Sequence, residues 1–99
     1  MSDARRLWIR SRTVQTGRRS AYRDAAIAAG VTASRLGAHC WVFEVDGGEG
    51  RFIEFVEGPS DEAVAAVLEE ADGSLRRAAG SEATDTRVEA AGLKCTEFR

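Results

Sequence analysis

The chain has a single histidine, His39, and that scarcity closes off several chemistries at once. No second histidine exists to share a zinc ion with it, so no metal site is expected. Cys40 follows directly in the chain and, on a strand, would point to the opposite face. A Ser-His-Asp or Cys-His arrangement would need spacings that one histidine does not supply. There are two cysteines, Cys40 and Cys95. The first residues, MSDARRLWIR, carry no apolar core before a cleavage site, so no signal peptide is expected. Two thiols in such a chain read as free and reduced, and the protein as cytoplasmic. Proline occurs once, at Pro59. No apolar run approaches the roughly 18 residues that a membrane span needs, so no membrane partner is expected.

What is present fits one domain spanning residues 1–99, with 43% hydrophobic and 30% charged residues. The net charge of −2 hides a segregation. Residues 1–37 hold eight arginines and two acids; residues 38–99 hold six basic and fourteen acidic residues. A basic half can signal nucleic acid. Here no aromatic-interleaved basic patch accompanies the basic half, and the acidic half largely cancels it and offers partners within the same fold. No nucleic-acid partner is therefore expected.

Arg6 to Val14 alternates as a first strand. Thr16 is placed to cap a helix running from Gly17 to about Leu36. Tyr22, Ala25, Ala26, Ala29, Ala33 and Leu36 form its apolar stripe. Gly30 suggests a kink, and Gly37 a stop. His39 to Val45 and Arg51 to Glu57 read as a hairpin around Asp46-Gly47-Gly48-Glu49-Gly50. That loop joins two strands, not a strand and a helix, so it is no phosphate cradle. Ser60 caps a second helix whose stripe is Val64, Val67, Leu68, Ala71 and Leu75, with Gly73 a possible break. Gly80 to Ala91 reads as loop, and Leu93 to Phe98 as the last strand. The order is βαββαβ. This is an α+β, ferredoxin-like arrangement: a four-stranded antiparallel sheet with both helices on one face. Cys40 and Cys95 then fall on opposite sheet edges, beyond the roughly 5.5 Å that a disulfide spans.

Alternation sorts the strand residues into two faces. Leu7, Ile9, Trp41, Phe43, Val45, Ile53, Phe55, Leu93 and Cys95 are almost wholly apolar and are expected beneath the helices. Trp8, Arg10, Arg12, Cys40, Val42, Glu44, Phe52, Glu54, Val56, Lys94 and Phe98 form the other face. Its aromatics make it too apolar for a solvated surface. A homodimer joined through Trp8, Arg10, Phe52, Glu54, Val56 and Phe98 is the expectation. Arg10 and Arg12 are expected to meet Glu54, or Glu44, as ion pairs that set register.

The size, the element order and the run Arg51-Phe52-Ile53-Glu54-Phe55-Val56-Glu57 before Gly58-Pro59-Ser60-Asp61-Glu62-Ala63 carry a resemblance. The chain resembles the antibiotic biosynthesis monooxygenase-like group of the dimeric α/β-barrel superfamily. The resemblance implies a homodimer, sheet against sheet. It also implies a small aromatic ligand and, in some members, a monooxygenase that needs no cofactor. Members often carry tryptophan where Gly58 stands. The haem-degrading members carry an asparagine on the first strand and a histidine in the second helix. Neither is found between Leu7 and Val14 or between Asp61 and Gly80, which argues against haem degradation. If the apolar layer forms a pocket, Ser11, Tyr22, His39 and Trp41 are the groups to line it, with His39 as a general base. The competing reading is a non-catalytic structural or protein-interaction module, with Trp41 and Phe43 as plain core.

Overall fold

The computed structural model describes residues 5–85 and 95–98. In chain order the elements are β1 (Arg6–Thr13), α1 (Arg19–Arg35), β2 (His39–Val45), β3 (Arg51–Gly58), α2 (Asp61–Ala79), β4 (Ala83–Asp85) and β5 (Cys95–Glu97). All strand pairings are antiparallel, and the sheet order is β4-β1-β3-β2-β5. The first four strands in that order are the ferredoxin-like sheet that the βαββαβ pattern predicts. The fifth is an addition. The described part of the expected last strand, Cys95–Glu97, lies beside β2, not beside β1. The place beside β1 goes to Ala83–Asp85, from the stretch read as loop. Thr86 to Lys94, and with them the expectations for Leu93 and Lys94, lie outside the described residues.

Moving Cys95 beside β2 also changes the cysteine argument. Cys95 pairs with Val45, five residues along β2 from Cys40. At about 3.4 Å per residue, the two Cα atoms stand roughly 17 Å apart along the sheet, so distance still forbids a disulfide.

Helix ends follow local chemistry. Ala63 N–H donates to Ser60 Oγ at 3.1 Å, and Asp61 and Glu62 fill the first turn of α2. Helix α1 starts later than expected: its N-cap is Arg18, which makes no side-chain capping bond, so Thr16 does not cap it. Its far end is closed as expected at Gly37, with φ of 75°. Ala38 N–H donates to Ala33 O, and Gly37 N–H to Ser34 O, the paired bonds of a Schellman stop. Neither Gly30 nor Gly73 divides its helix.

The alternation is correct, and the assignment of faces is inverted. The helices lie on the face that carries the charges. Tyr22, Ala26 and Ala29 of α1 and Ala71, Leu75 and Ala79 of α2 pack with Val42, Phe52 and Phe98 of the sheet. Ala33, Val64 and Val67 pack with Val56. Phe52, Glu54, Val56 and Phe98 are 1%, 1%, 3% and 7% exposed, so they are core and do not form a dimer interface. Arg10 is tied to Glu54 beneath the helices. Trp8, on the same face at its margin, is 41% exposed. The apolar set faces away from the helices. There Ile9, Val45 and Ile53 are buried, Trp41, Phe43 and Phe55 half-buried, and Leu7 exposed.

The inversion has a chemical reason. A charged face can go under helices only if every charge finds a partner, and the helices bring those partners. Tyr22 of α1 and Asp72 of α2 complete a network with Arg10, Arg12 and Glu54. Among the described residues no buried side-chain nitrogen or oxygen lacks a hydrogen bond. Gly58 shows how closely α2 approaches. A Cβ there would stand 3.3 Å from both Ala63 Cβ and Val64 Cγ2. A tryptophan at this position would push the helix off the sheet.

Candidate functional site

Two polar constellations stand out, and only one has room for a ligand. The first is the buried network. Glu54 Oε2 accepts from Arg12 Nε at 2.6 Å and from the Tyr22 hydroxyl at 2.6 Å. Glu54 Oε1 accepts from Arg10 Nε at 3.0 Å and Arg12 Nη2 at 3.2 Å. Asp72 Oδ1 takes the second nitrogens of both arginines, Arg12 at 2.9 Å and Arg10 at 3.0 Å. Arg12 Nη1 donates to the Ser81 carbonyl at 2.8 Å, and the Ser81 hydroxyl donates to the Thr13 carbonyl.

The titration behaviour matches this geometry. Burial works against the Arg12 charge, yet the pairing with Glu54 and Asp72 outweighs it and raises the pKa. Partial burial likewise opposes the Asp72 carboxylate, but the Arg12 hydrogen bond and the guanidinium charges of Arg10, Arg12 and Arg76 hold it below the ordinary range. Burial, reinforced by the Glu54 charge, pushes the Tyr22 phenol far above its usual value. Two cations meet two anions, and both Glu54 oxygens and Asp72 Oδ1 accept two hydrogen bonds or ion-pair contacts each. The network acts as a polar keystone between sheet and helices.

The second constellation is a groove of about 590 Å³, within the range that holds small ligands. One wall is α1, through Ala26, Ile27, Gly30, Val31 and Ser34. The other is the outer edge of β2, His39 to Val42. Phe98 and Glu97 close one end. Among the described residues β5 pairs with Phe43 to Val45, and one further bond runs from Phe98 N–H to Val42 O. Backbone groups of an antiparallel strand alternate in direction. Since Val42 faces β5, the Cys40 N–H and C=O face outward along the same edge, beyond the described residues of β5. The Cys40 carbonyl lies 3.8 Å from where a Cβ on Gly30 would stand. Ile27 and Val31, 54% and 65% exposed, form an apolar rim.

The expected pocket residues do not converge. His39 and Trp41 do meet, rings stacked at 5.5 Å and 10°, and both line the groove. Tyr22 is in the core, its hydroxyl committed to Glu54. Ser11 lies on the face away from the helices and accepts from Arg51 Nε at 3.1 Å. Glu44 pairs with Arg19 at 2.6 Å, not with β1. The residues that sequence reasoning passed over are Ile27, Val31 and Cys40. Ile27 and Val31 were detectable, because they are an i, i+4 apolar pair off the alanine stripe. Burial, with the Glu54 charge behind it, pushes the Cys40 thiol up to about 11, so it is no nucleophile near neutral pH.

Among the described residues no cluster of three or more histidine, cysteine or acidic side chains has the arrangement to hold a metal ion. No described helix is long and apolar enough to cross a membrane. No protein-family model matches the sequence, and neither the curated proteins nor the solved structures include a chain similar to it.

Proposed function

We propose that the protein binds a small, largely apolar and aromatic molecule in the groove between α1 and the β2 edge. The observation that carries this reading is the groove itself: a ligand-sized concavity with apolar walls and a few polar groups grouped at β2. His39 and Trp41 line the groove at the β2 edge, while their rings stack on each other at the face away from the helices. The Cys40 backbone offers an adjacent donor and acceptor. If the protein oxidises its ligand without a cofactor, as the resemblance implies, the reaction begins with removal of a ligand proton. His39 is the basic side chain on the groove for that step.

The same reading includes a homodimer, joined through the face away from the helices. Leu7, Trp41, Phe43 and Phe55 supply its apolar contacts, with Phe43 and Phe55 meeting edge to face at 5.3 Å.

Titrating the protein with a naphthol while following tryptophan emission tests the binding reading. Saturable quenching is expected, retained in Trp8→Phe. Val31→Arg should weaken it by about tenfold, the equivalent of ~1.4 kcal/mol. Binding indifferent to Val31→Arg would remove the groove as the site. For catalysis, turnover that survives His39→Ala would remove His39 as the base.

The layer beneath the helices is filled, which favours the competing reading of a non-catalytic interaction module. Failure of every aromatic probe to bind would decide for it.

A further inference from the structure

At Gly30 the wall that α1 gives the groove has no side chain. Nothing in the local fold calls for glycine there. Its backbone is ordinary helix, whereas Gly37 at the end of α1 has a φ of 75°. Nor is the space too tight for a methyl group. A Cβ at Gly30 would meet the Cys40 carbonyl oxygen at 3.8 Å, an ordinary van der Waals contact, where one at Gly58 would stand 3.3 Å from α2 side chains. Glycine inside a helix is a poorer helix former than alanine, so Gly30 weakens α1 without relieving a close contact.

The missing side chain leaves the Cys40 carbonyl uncovered on the α1 side. That carbonyl faces the outer edge of β2, as does that of Val42, which accepts from Phe98 N–H at 2.7 Å. Ladder bonds to one neighbouring strand recur at every second residue, so the ladder position for Cys40 falls two residues past Phe98. The Cys40 oxygen is thus a strong acceptor set in the groove between Gly30 and the β2 edge, beside the apolar rim of Ile27 and Val31. Apolar material laid over it would take away its water and give no hydrogen bond in exchange. A ligand that brings a donor avoids that cost, and a site of this kind rejects the analogue without one.

We infer that the groove selects an aromatic hydrogen-bond donor, a phenol or an indole, whose O–H or N–H donates to the Cys40 carbonyl, and that Gly30 is the specificity residue that keeps this carbonyl open. The inference rests on the groove being the binding site. It adds the hydrogen-bonding class of the ligand. It also makes Gly30 a position where binding and helix stability pull in opposite directions.

Calorimetric titration of naphthol and of its methyl ether into wild type and Gly30→Ala, with urea denaturation of both proteins, tests it. The ether keeps the rings and the oxygen and lacks the donor. Wild type should bind naphthol about tenfold more tightly than the ether, equivalent to ~1.4 kcal/mol. In Gly30→Ala that preference should disappear, because the new methyl group sits against the acceptor. The urea midpoint of the same variant should rise, because alanine favours the helix. A lower midpoint would make Gly30 a packing requirement and overturn its role in specificity. A more stable variant that still prefers naphthol would overturn it too. Equal binding of naphthol and ether by wild type overturns the donor class; if Val31→Arg weakens that binding, the groove reading stands alone. If wild type binds neither probe, both fall.

Discussion

Arg12 and Glu54, each 1% exposed, form a doubly hydrogen-bonded ion pair across β1 and β3 at 2.6 and 3.2 Å. They are diagonal neighbours in the sheet, since the register pairs Arg12 with Phe52 and Arg10 with Glu54. A single carboxylate therefore answers two arginines and a tyrosine. Glu54→Ala strands the Arg12 charge with only Asp72 and leaves the Tyr22 hydroxyl without its acceptor. The expected loss is about 3–5 kcal/mol, the cost of breaking a buried pair on one side. The joint replacement Arg12→Met/Glu54→Leu/Tyr22→Phe should lose much less, because the unpaired groups leave together. Urea denaturation of the two variants provides the comparison. Equal losses would show that packing, not pairing, is what Glu54 contributes.

Asp72 gives this network a pH signature. Its folded pKa is depressed, because the Arg12 hydrogen bond and the guanidinium charges outweigh the effect of partial burial. A depressed carboxylate contributes stability that is fully present above its unfolded value, ordinarily about 3.9. That contribution is lost as pH falls through the folded value. The urea midpoint of the wild type should therefore exceed that of Asp72→Asn at neutral pH. The two should converge as the pH falls below about 4. A difference that stays constant through this range would mean that Asp72 does not titrate with folding.

These pairings explain what was legible in the sequence and what was not. Residues that alternate along a strand share a face whatever packs on it, so the two sets, and the meeting of Arg10 and Arg12 with Glu54, could be read directly. Which set lies under the helices is a separate question, and hydrophobicity answered it wrongly. Phe52, Val42 and Phe98 on the charged set were the clue, because a face with three large apolar side chains has a core to build. The deciding partners, Tyr22 and Asp72, sit on the helices far away in sequence. Only tertiary structure shows that they neutralise Arg12 and Glu54 there. Ala83–Asp85 escaped for a simpler reason: three residues carry too little alternation to declare a strand; Cys95–Glu97 falls within the expected last strand, and alternation alone does not choose its neighbour.

The corrected faces give the sharpest contrast between two phenylalanines of one strand. Phe52 and Phe55 both belong to β3 and point to opposite sides of the sheet. Phe52 is 1% exposed, against Tyr22 and Phe98. Phe55 is half-buried on the helix-free face, against Phe43. Phe52→Lys puts an ammonium into the core with no room for a counter-ion, and should cost at least the ~3–5 kcal/mol of a large-to-small core change. That protein should be unfolded. Phe55→Lys leaves the core intact and places one charge at the centre of the proposed dimer contact, opposite its own symmetry mate or near it. An isologous interface carries the substitution twice, so repulsion adds to lost apolar area. Sedimentation at micromolar concentration is expected to give the wild type roughly twice the 10.7 kDa chain mass, and Phe55→Lys a folded monomer. A wild type that sediments as a single chain would defeat the dimer. A Phe55→Lys variant that remains dimeric would place the contact elsewhere.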